Sequence, residues 1–180
     1  MADDTAIRVQ NLTVSYQHKP VLWDIHFRLP KGQIIGVIGP SGSGKTTLLK
    51  SIMGLLPLDS GQIELFGQPI KKVRGRLSYV PQRESVDWDF PATIQDVVLM
   101  GRYRKDNLFR PLKKRDYEIA REAIDKVGLL DLADQQISQL SGGQQQRVFI
   151  GRALAQQAEL YLMDEPFVGV DAATEDAILK

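Results

Sequence analysis

The sequence has no cysteine, almost no excess of either charge and no long apolar run, and each absence excludes a class of protein. Without cysteine there is no disulfide framework and no thiolate metal site, and an intracellular compartment is the simpler expectation. Lys and Arg number 23 against 22 Asp and Glu, whereas dedicated nucleic-acid binders carry a strong basic excess. No apolar run approaches the roughly 20 residues that span a bilayer, and the acidic start lacks the pattern of a signal peptide. We therefore expect a soluble protein that reaches a membrane only through a partner.

The first third of the chain carries strand patterns. Apolar and polar residues alternate over 12–16 and again over 21–29, with a turn predicted at 18–20, which together indicate an antiparallel β start. Residues 34–38 (IIGVI) form a continuous apolar run, which is typical of a strand covered on both faces. Further short strands are predicted at 61–67 and 77–80. The residues expected on the inward face of the second strand are Val21, Trp23, Ile25, Phe27 and Leu29.

The middle of the chain changes to helical patterns, so residues 83–140 are predicted to form a helical lobe inserted into an α/β core. Helices are predicted at 93–101 and 114–128, and Gly128 is placed to cap the second. A strand returns at Leu160–Met163, and a last helix begins near Ala172. The apolar face of the 114–128 helix is predicted to carry Tyr117, Ala120, Ile124 and Val127.

The strongest motif is GPSGSGKT at residues 39–46, after an apolar run and before a predicted helix. It matches the phosphate-binding pattern GxxxxGK[ST] in the context that the pattern requires. Backbone N–H groups of such a loop, with the helix N-terminus, bind phosphate oxygens, while Lys45 would reach the β- and γ-phosphates and Thr46 would coordinate Mg²⁺. We expect nucleotide contacts from Gly39, Pro40, Ser41, Gly42, Ser43, Gly44, Lys45, Thr46 and Thr47.

A second motif, LYLMDEP, delivers two adjacent carboxylates at the end of an apolar strand. Asp164 suits the Mg²⁺ shell, and Glu165 suits a general base that polarises the attacking water. Two such carboxylates are also common in ordinary turns. A third motif, LSGGQ at 140–144, predicts a second phosphate-binding helix N-terminus, although a plain loop-to-helix cap would share its pattern. The residues expected to act there are Ser141, which can also cap the helix, Gly142, Gly143 and Gln144.

The order of these motifs resembles the ATP-binding subunits of ABC transporters, with LSGGQ as that family's own signature. The resemblance implies a P-loop NTPase, RecA-like core with an antiparallel β subdomain and an inserted helical subdomain. It also implies that Gln82 contacts Mg²⁺ and the attacking water, that Asp171 is the D-loop aspartate and that Tyr16 stacks on adenine. The subdivision expected is 1–82 with the phosphate-binding loop, 83–140 as the helical subdomain, and 141–180 with the signature helix and the two carboxylates.

The same resemblance implies how the protein works. Two copies would form a head-to-tail dimer with each ATP between the P-loop of one and the LSGGQ of the other. Transmembrane permease subunits, and indirectly a substrate-binding protein, would be the partners, at the cytoplasmic face of the membrane, and no nucleic acid is expected. ATP and Mg²⁺ are the expected cofactors. The stretch VPQRESVDWDFPATIQDVVLMGRYR is similar to the branch that imports manganese, zinc or chelated iron.

Two positions depart from the family pattern. Gly151 stands in IGRAL, where the family usually has alanine. The switch histidine that the family places after the strand following Asp164 has no counterpart, because the only histidines are His18 and His26. We expect that strand and histidine beyond Lys180, so that a chain ending there would hydrolyse ATP slowly.

Several alternatives stay open from the residues alone. The protein could be a soluble ABC-type ATPase acting on nucleic acid or ribosomes, or a nucleotide-binding module without catalysis. Trp88 and Phe90 either pack within the helical lobe or contribute to a groove for the membrane subunit. The acidic side chains of Glu84, Asp87 and Asp89 read as a solvated loop. A basic cluster reads as a solvated face or as a surface for anionic lipid, and comprises Arg102, Arg104, Lys105, Arg110, Lys113, Lys114 and Arg115.

Overall fold

A computed structural model describes residues 4–17, 19–103 and 111–179, without the side chains of Glu84, Ala173, Ala177 and Leu179. The chain divides into two units, Met1–Leu77 and Ser78–Lys180, and each is described by itself. The finer subdivision expected from the sequence stays a prediction.

The first unit is built on an antiparallel sheet, as the alternation predicts. The two long strands that open the chain, β1 (Thr5–Tyr16) and β2 (Lys19–Pro30), pair with each other, and β1 also pairs with β3 (Ser60–Leu65). With β4 (Gln68–Pro69) at the edge, the strand order is β2-β1-β3-β4. Buried Val9, Leu12, Val14 and Leu65 form the apolar face of this sheet. The strands and helices of this unit are β1 (Thr5–Tyr16), β2 (Lys19–Pro30), α1 (Lys45–Ile52), β3 (Ser60–Leu65), β4 (Gln68–Pro69) and α2 (Ile70–Val73).

The inward face predicted for β2 is wrong at its first two positions. Trp23 is 72% exposed and Val21 37% exposed, while Leu22 between them is buried. The cause is a bulge next to Asp24, whose φ of 48° lies in the left-handed region. The Asp24 carboxylate accepts a hydrogen bond from Asn11 Nδ2 at 2.9 Å, which stabilises this conformation. A bulge adds one residue to one strand and so reverses which side chains face inward.

The strand predicted at residues 34–38 is also not formed. Among the described residues this segment pairs with no strand, and Ile34 and Ile38 are 75% and 97% exposed. A strand forms only when its backbone groups find a partner strand. The apolar composition of a segment does not determine whether another strand lies beside it to pair with.

The second unit combines a two-stranded sheet with packed helices. The strands β5 (Leu77–Val80) and β6 (Leu160–Met163) pair, and the N–H of Asp164 donates to the Val80 carbonyl at 3.0 Å. Their carboxyl ends therefore lie side by side and the strands run parallel. The helices are α3 (Ile94–Leu99), α4 (Lys114–Lys126), α5 (Gly142–Ala155) and α6 (Ala172–Leu179), in agreement with the predicted positions.

Helices α3, α4 and α5 pack on one another around a shared apolar core. Ala120, Ile124 and Val127 are buried as predicted, but Tyr117 is 48% exposed, so its placement on the inward face of α4 is wrong. Gly128 has a φ of 64° and caps α4 as predicted. Among the described residues, no helix is both long enough and apolar enough to cross a bilayer.

The glycine at position 151 has a packing explanation. It lies in the middle of α5, and a β-carbon there would be 3.3 Å from Val98 Cγ2 and 3.4 Å from Val127 Cγ2. Such contacts are tight, so the missing methyl allows α5 to approach these two valines closely. The helix-propensity cost of glycine, about 0.5–1 kcal/mol, is offset by this approach.

Two surface predictions are partly resolved. Trp88 packs within the lobe, since its ring meets Phe149 edge-on with centroids 5.1 Å apart, whereas Phe90 is 53% exposed. In the basic cluster, Arg102 is not on a free face, because its Nε donates to Asp116 at 3.0 Å. The other members of that cluster within residues 104–110 lie outside the described part of the chain.

Candidate nucleotide-binding residues

The phosphate-binding loop of the first unit turns directly into α1. Lys45 is the first helical residue, and Gly44 before it has a φ of 92°, a left-handed conformation that favours glycine. The N–H of Ser43 donates to the Pro40 carbonyl at 3.2 Å and closes the turn. The cap of α1 involves no side-chain hydrogen bond. Its first N–H groups are therefore not used by a capping side chain and suit an anion.

Lys45 is held by this loop. Its ammonium donates to the carbonyl oxygens of Gly39 and Pro40 at 2.9 and 3.0 Å. Both acceptors are neutral, so phosphate oxygens would compete with them for the same protons with the advantage of charge. Thr46, the next residue, is half-buried, while Thr47 is buried, with 7% of its surface exposed. Tyr16, at the end of β1, keeps 46% of its surface exposed.

The carboxylate pair of the second unit follows β6, as the sequence predicts. Asp164 is 3% exposed, and among the described residues nothing donates a hydrogen bond to its Oδ2. Burial, and secondarily the charge of the nearby Asp164 carboxylate, raise the pKa of Tyr79. A buried carboxylate oxygen without a donor is costly, and a bound Mg²⁺ or its water would satisfy it. Asp164 thus fits the proposed metal shell.

Glu165 adopts an unusual backbone conformation at the predicted catalytic position. Its φ is 50°, in the left-handed region, which costs of order 1–3 kcal/mol for a residue that is not glycine. Its side chain is exposed, and its Oε2 accepts a hydrogen bond from Gln82 Nε2 at 3.2 Å. The structure therefore brings together two residues 83 positions apart in the chain, both assigned to the same site from sequence.

The LSGGQ motif forms the start of α5. Ser141 is the N-cap, its Oγ accepts from Gln144 N, and Gln144 Oε1 accepts from Ser141 N at 2.8 Å. This reciprocal capping box confirms the capping role predicted for Ser141. It also gives Gln144 a structural use, since its side chain is engaged with the N-cap backbone. Its contact with nucleotide stays a prediction.

The second glycine of the motif lies against the segment that contains Asp171. A β-carbon at Gly143 would overlap the carbonyl oxygen of Gly169, so the backbones of these two residues touch. Asp171, two residues later, accepts hydrogen bonds from the N–H and the hydroxyl of Thr174, at 2.9 and 2.8 Å. These bonds lower the pKa of Asp171 and place it as the cap of α6.

Sequence reasoning missed Arg83 and Gln145. Each directly follows a recognised residue, Gln82 or Gln144, but lies outside the motif itself. Arg83 Nε donates to Gln145 Oε1 at 3.0 Å. No local pattern marks this pair, because its members are 62 positions apart and only packing makes them neighbours.

The second unit therefore contains a carboxylate suited to a general base, a second carboxylate suited to a cation, an amide side chain and a capped helix N-terminus. The first unit contains the phosphate-binding loop. Across the described residues, no three His, Cys, Asp or Glu side chains are grouped to hold a metal ion. Asp87 and Asp89 instead form a local turn, in which Asp89 N donates to Asp87 Oδ1 at 3.1 Å.

Comparisons with known proteins identify the family of this chain. The ABC transporter family profile matches residues 22–168. The chain is 59% identical over 174 residues to the zinc transport system ATP-binding protein TroB of Treponema pallidum, covering 97% of this chain and 65% of that protein. It is 58% identical over 173 residues to the manganese transport system ATP-binding protein MntB of Bacillus subtilis, covering 96% and 69%.

Solved structures are similar as well. A metal-chelate type ABC transporter in an inward-facing conformation matches with a TM-score of 0.78 and 35% identity, over 98% of this chain and 66% of that one. A nucleotide-free ATP-binding cassette from an ABC transporter matches with a TM-score of 0.79 and 25% identity, over 97% and 74%. The chain thus spans about two thirds of the length of the relatives that it matches. It belongs to the ABC transporter family and has the α/β P-loop NTPase fold of that family's ATP-binding subunits.

Proposed function

We propose that this protein binds and hydrolyses ATP to power the import of a metal ion, namely manganese, zinc or chelated iron. Relatives named as zinc and manganese transport system ATP-binding proteins, 59% and 58% identical, support this substrate class. The observation that carries the hydrolytic part is the hydrogen bond from Gln82 to Glu165, next to the buried Asp164 carboxylate that has no donor among the described residues.

The roles of the side chains follow from their chemistry. Lys45 and the N–H groups of the loop at 39–46 neutralise the β- and γ-phosphates, with adenine stacked on Tyr16. Mg²⁺, when bound, neutralises phosphate charge, and the residues that would hold it are Thr46, Gln82 and Asp164.

Glu165 is the proposed general base. Its carboxylate takes a proton from the attacking water while the water oxygen forms a bond to the γ-phosphorus and the bond to the ADP oxygen breaks. Gln82, which donates to Oε2 of this carboxylate, orients it and leaves the other oxygen, Oε1, available to accept from the water. The exposed position of Glu165 allows that water to reach it.

The proposed assembly is a head-to-tail pair of copies, in which Ser141, Gly142, Gly143 and Gln144 of one copy contact the ATP held by the P-loop of the other, near Asp171. Such an arrangement is two-fold symmetric. Transmembrane permease subunits would hold this pair at the cytoplasmic face of the membrane, and a substrate-binding protein would deliver the metal ion to them.

Metal accumulation in cells tests the proposal. We expect cells whose own copy carries Glu165→Gln to contain less manganese or zinc than cells with the control Glu122→Gln, an exposed position on α4. Elemental analysis by mass spectrometry makes the measurement. Equal metal content in both strains, or ATPase activity that nucleic acid or ribosomes stimulate, would instead favour a soluble ABC-type ATPase.

A further inference from the structure

The polar face of the sheet in the first unit carries a row of charged side chains that is unbalanced at one end. Arg8 of β1 is the direct partner of Arg28 on β2 and of Glu64 on β3, so the three side chains lie in line across this face. Arg8 Nη1 and Glu64 Oε2 form a salt bridge of 3.6 Å. Arg28 is exposed and forms no salt bridge among the described residues. Like charges directly opposite each other destabilise a sheet, so the Arg28 end of the row favours a further negative group.

The neighbouring row of side chains adds hydrogen-bond donors beside Arg28. Gln10 is the partner of Gln62 on β3, and its Oε1 accepts a hydrogen bond from Gln62 Nε2 at 2.6 Å. The carbonyl side of the Gln10 amide is thus used by β3, whereas its NH₂ group has no acceptor among the described residues and can donate toward β2. His26, which alternation along β2 places on the same face as Arg28, is exposed there.

A bulge in β1 gives this part of the face its concave shape. The register shifts between Val9 and Leu12, so residues 10 and 11 of β1 together lie opposite His26 alone. Asn11 within the bulge has a φ of 49°, and a bulge of this kind changes the direction of the neighbouring side chains. The result is an open cavity of about 430 Å³, called the β1–β2 cavity below, which has room for a small oxyanion with several waters. It is lined by Val9, Gln10, Asn11, His26, Phe27 and Arg28.

The charges around the β1–β2 cavity favour an anion over a cation. Both carboxylates on this part of the sheet are already engaged, Glu64 with Arg8 and Asp24 with Asn11, whose Nδ2 donates to Asp24 Oδ1 at 2.9 Å. The Arg28 guanidinium instead offers paired N–H donors that match the oxygens of a phosphate. A cation would meet this guanidinium, whereas an oxyanion would satisfy donors from both strands.

We propose that the β1–β2 cavity binds a phosphate-type oxyanion through Arg28, His26 and Gln10. Arg28 supplies the charge and two parallel donors, and the imidazole and the amide supply single donors. A free phosphate ion and the phosphate of a lipid headgroup present the same oxygens to these groups. The site goes beyond the proposed function, which uses none of these three residues.

NMR spectroscopy with resolution of single amides tests this site in the 180-residue chain. Proton–nitrogen spectra are recorded during titration with potassium phosphate, and again with potassium chloride at matched ionic strength. The variants are Arg28→Gln, which removes a cation from an exposed position, and the control Arg121→Gln, which does the same on α4. A third variant, Lys45→Ala, separates this response from phosphate bound at the loop of residues 39–46. Sedimentation with phosphatidylglycerol vesicles, compared with phosphatidylcholine vesicles, tests the lipid source.

We expect phosphate, unlike chloride, to shift the amides at 8–11 and 26–28 saturably in the wild type, in Arg121→Gln and in Lys45→Ala. Arg28→Gln should weaken this binding by about tenfold or more, because it removes the charge-assisted hydrogen bonds. A response to phosphate without vesicle binding would identify a soluble anion as the ligand. Vesicle binding that depends on phosphatidylglycerol and on Arg28 would identify a lipid headgroup.

Three results would overturn the site. They are an affinity in Arg28→Gln equal to that of the wild type, a dissociation constant for phosphate above about 10 mM without Arg28-dependent vesicle binding, and shifts confined to the loop at 39–46. Loss of the response at 39–46 alone would count against the proposed nucleotide site and leave the β1–β2 cavity unaffected, so the two proposals fail separately.

Discussion

The phosphate-binding loop and the LSGGQ segment are both glycine-rich turns that lead into a helix, yet they are held in different ways. The loop at 39–46 is stabilised by its own backbone and by Lys45, and α1 lacks a side-chain cap. The start of α5 is instead held by a capping box, by Arg83 beside Gly142 and by Gly169 against Gly143. Gly143 is therefore needed for packing within the second unit, in addition to any contact with a ligand.

Because of this difference, one segment should mainly determine ligand affinity and the other should also determine the free energy of unfolding. A side chain that donates to carbonyl oxygens of its own loop contributes little to folding and much to anion binding. Contact between two backbone segments contributes to the stability of the fold, because a side chain inserted between them would force the packed residues around them to move. Substitutions in the loop at 39–46 should thus change nucleotide affinity, whereas substitutions at the start of α5 should change the free energy of unfolding.

The largest expected effect is on turnover by Glu165→Gln. Loss of a general base lowers kcat by about 10²–10⁴-fold, whereas the affinity for MgATP should be unchanged because the amide keeps the shape of the side chain. The ATP-bound protein should accumulate as the closed dimer. Steady-state ATPase assays and light scattering measure these quantities. If turnover persists and the protein stays monomeric with ATP, the base lies elsewhere.

Lys45→Ala should weaken MgATP binding by about 100-fold, because charge-assisted hydrogen bonds to phosphate contribute about 1.5–3 kcal/mol each. The melting temperature should be nearly unchanged, since the acceptors of Lys45 among the described residues are carbonyl oxygens of its own loop. Titration with a fluorescent ATP analogue and thermal melting give both numbers, with Lys50→Ala in the last turn of α1 as the control. Unaltered affinity would remove the assignment of the phosphate-binding loop.

Gly143→Ala should destabilise the protein by about 1–3 kcal/mol, the usual cost of overpacking, because its methyl would overlap the Gly169 carbonyl. Gly142→Ala is the matched control, since its methyl would meet only the movable Arg83 guanidinium, 3.1 Å from Cζ. Chemical denaturation measures both. Equal stability of the two variants would show that the Gly143–Gly169 contact does not constrain α5.

The smallest expected effect concerns Asp116 and pH. Hydrogen bonds from Lys113 N and from Arg102 lower the pKa of Asp116 below its ordinary value of 3.8. A carboxylate with a lowered pKa contributes stability that is present above pH 3.8 and is lost as the pH falls through its folded-state pKa.

Asp116→Asn should therefore cost about 1 kcal/mol or less at pH 7, and the difference from the wild type should shrink below pH 3.8. Denaturation curves at several pH values measure this, with Asp125→Asn on the same helix as the control. A difference that stays constant into strong acid would mean that the Arg102 and Lys113 contacts do not involve the carboxylate charge.

Local sequence patterns determined the helices and most of the strands of this protein, and the motifs determined its family. Helices α3 to α6 and strands β5 and β6 lie where periodicity and capping residues place them, because these features depend on neighbours within a few residues. The predicted roles of Lys45, Asp164 and Glu165 likewise needed only short motifs in their structural context.

Only the tertiary structure decided which long-range contacts form. The bulge at Asp24 turns Trp23 outward, the apolar residues 34–38 find no partner strand among the described residues, and Gly143 meets Gly169. The bond between Arg83 and Gln145 joins residues 62 positions apart. The periodicity of apolar residues within a segment determines its tendency to form a helix or a strand. Which residues contact one another across the fold depends on how segments distant in the sequence pack together.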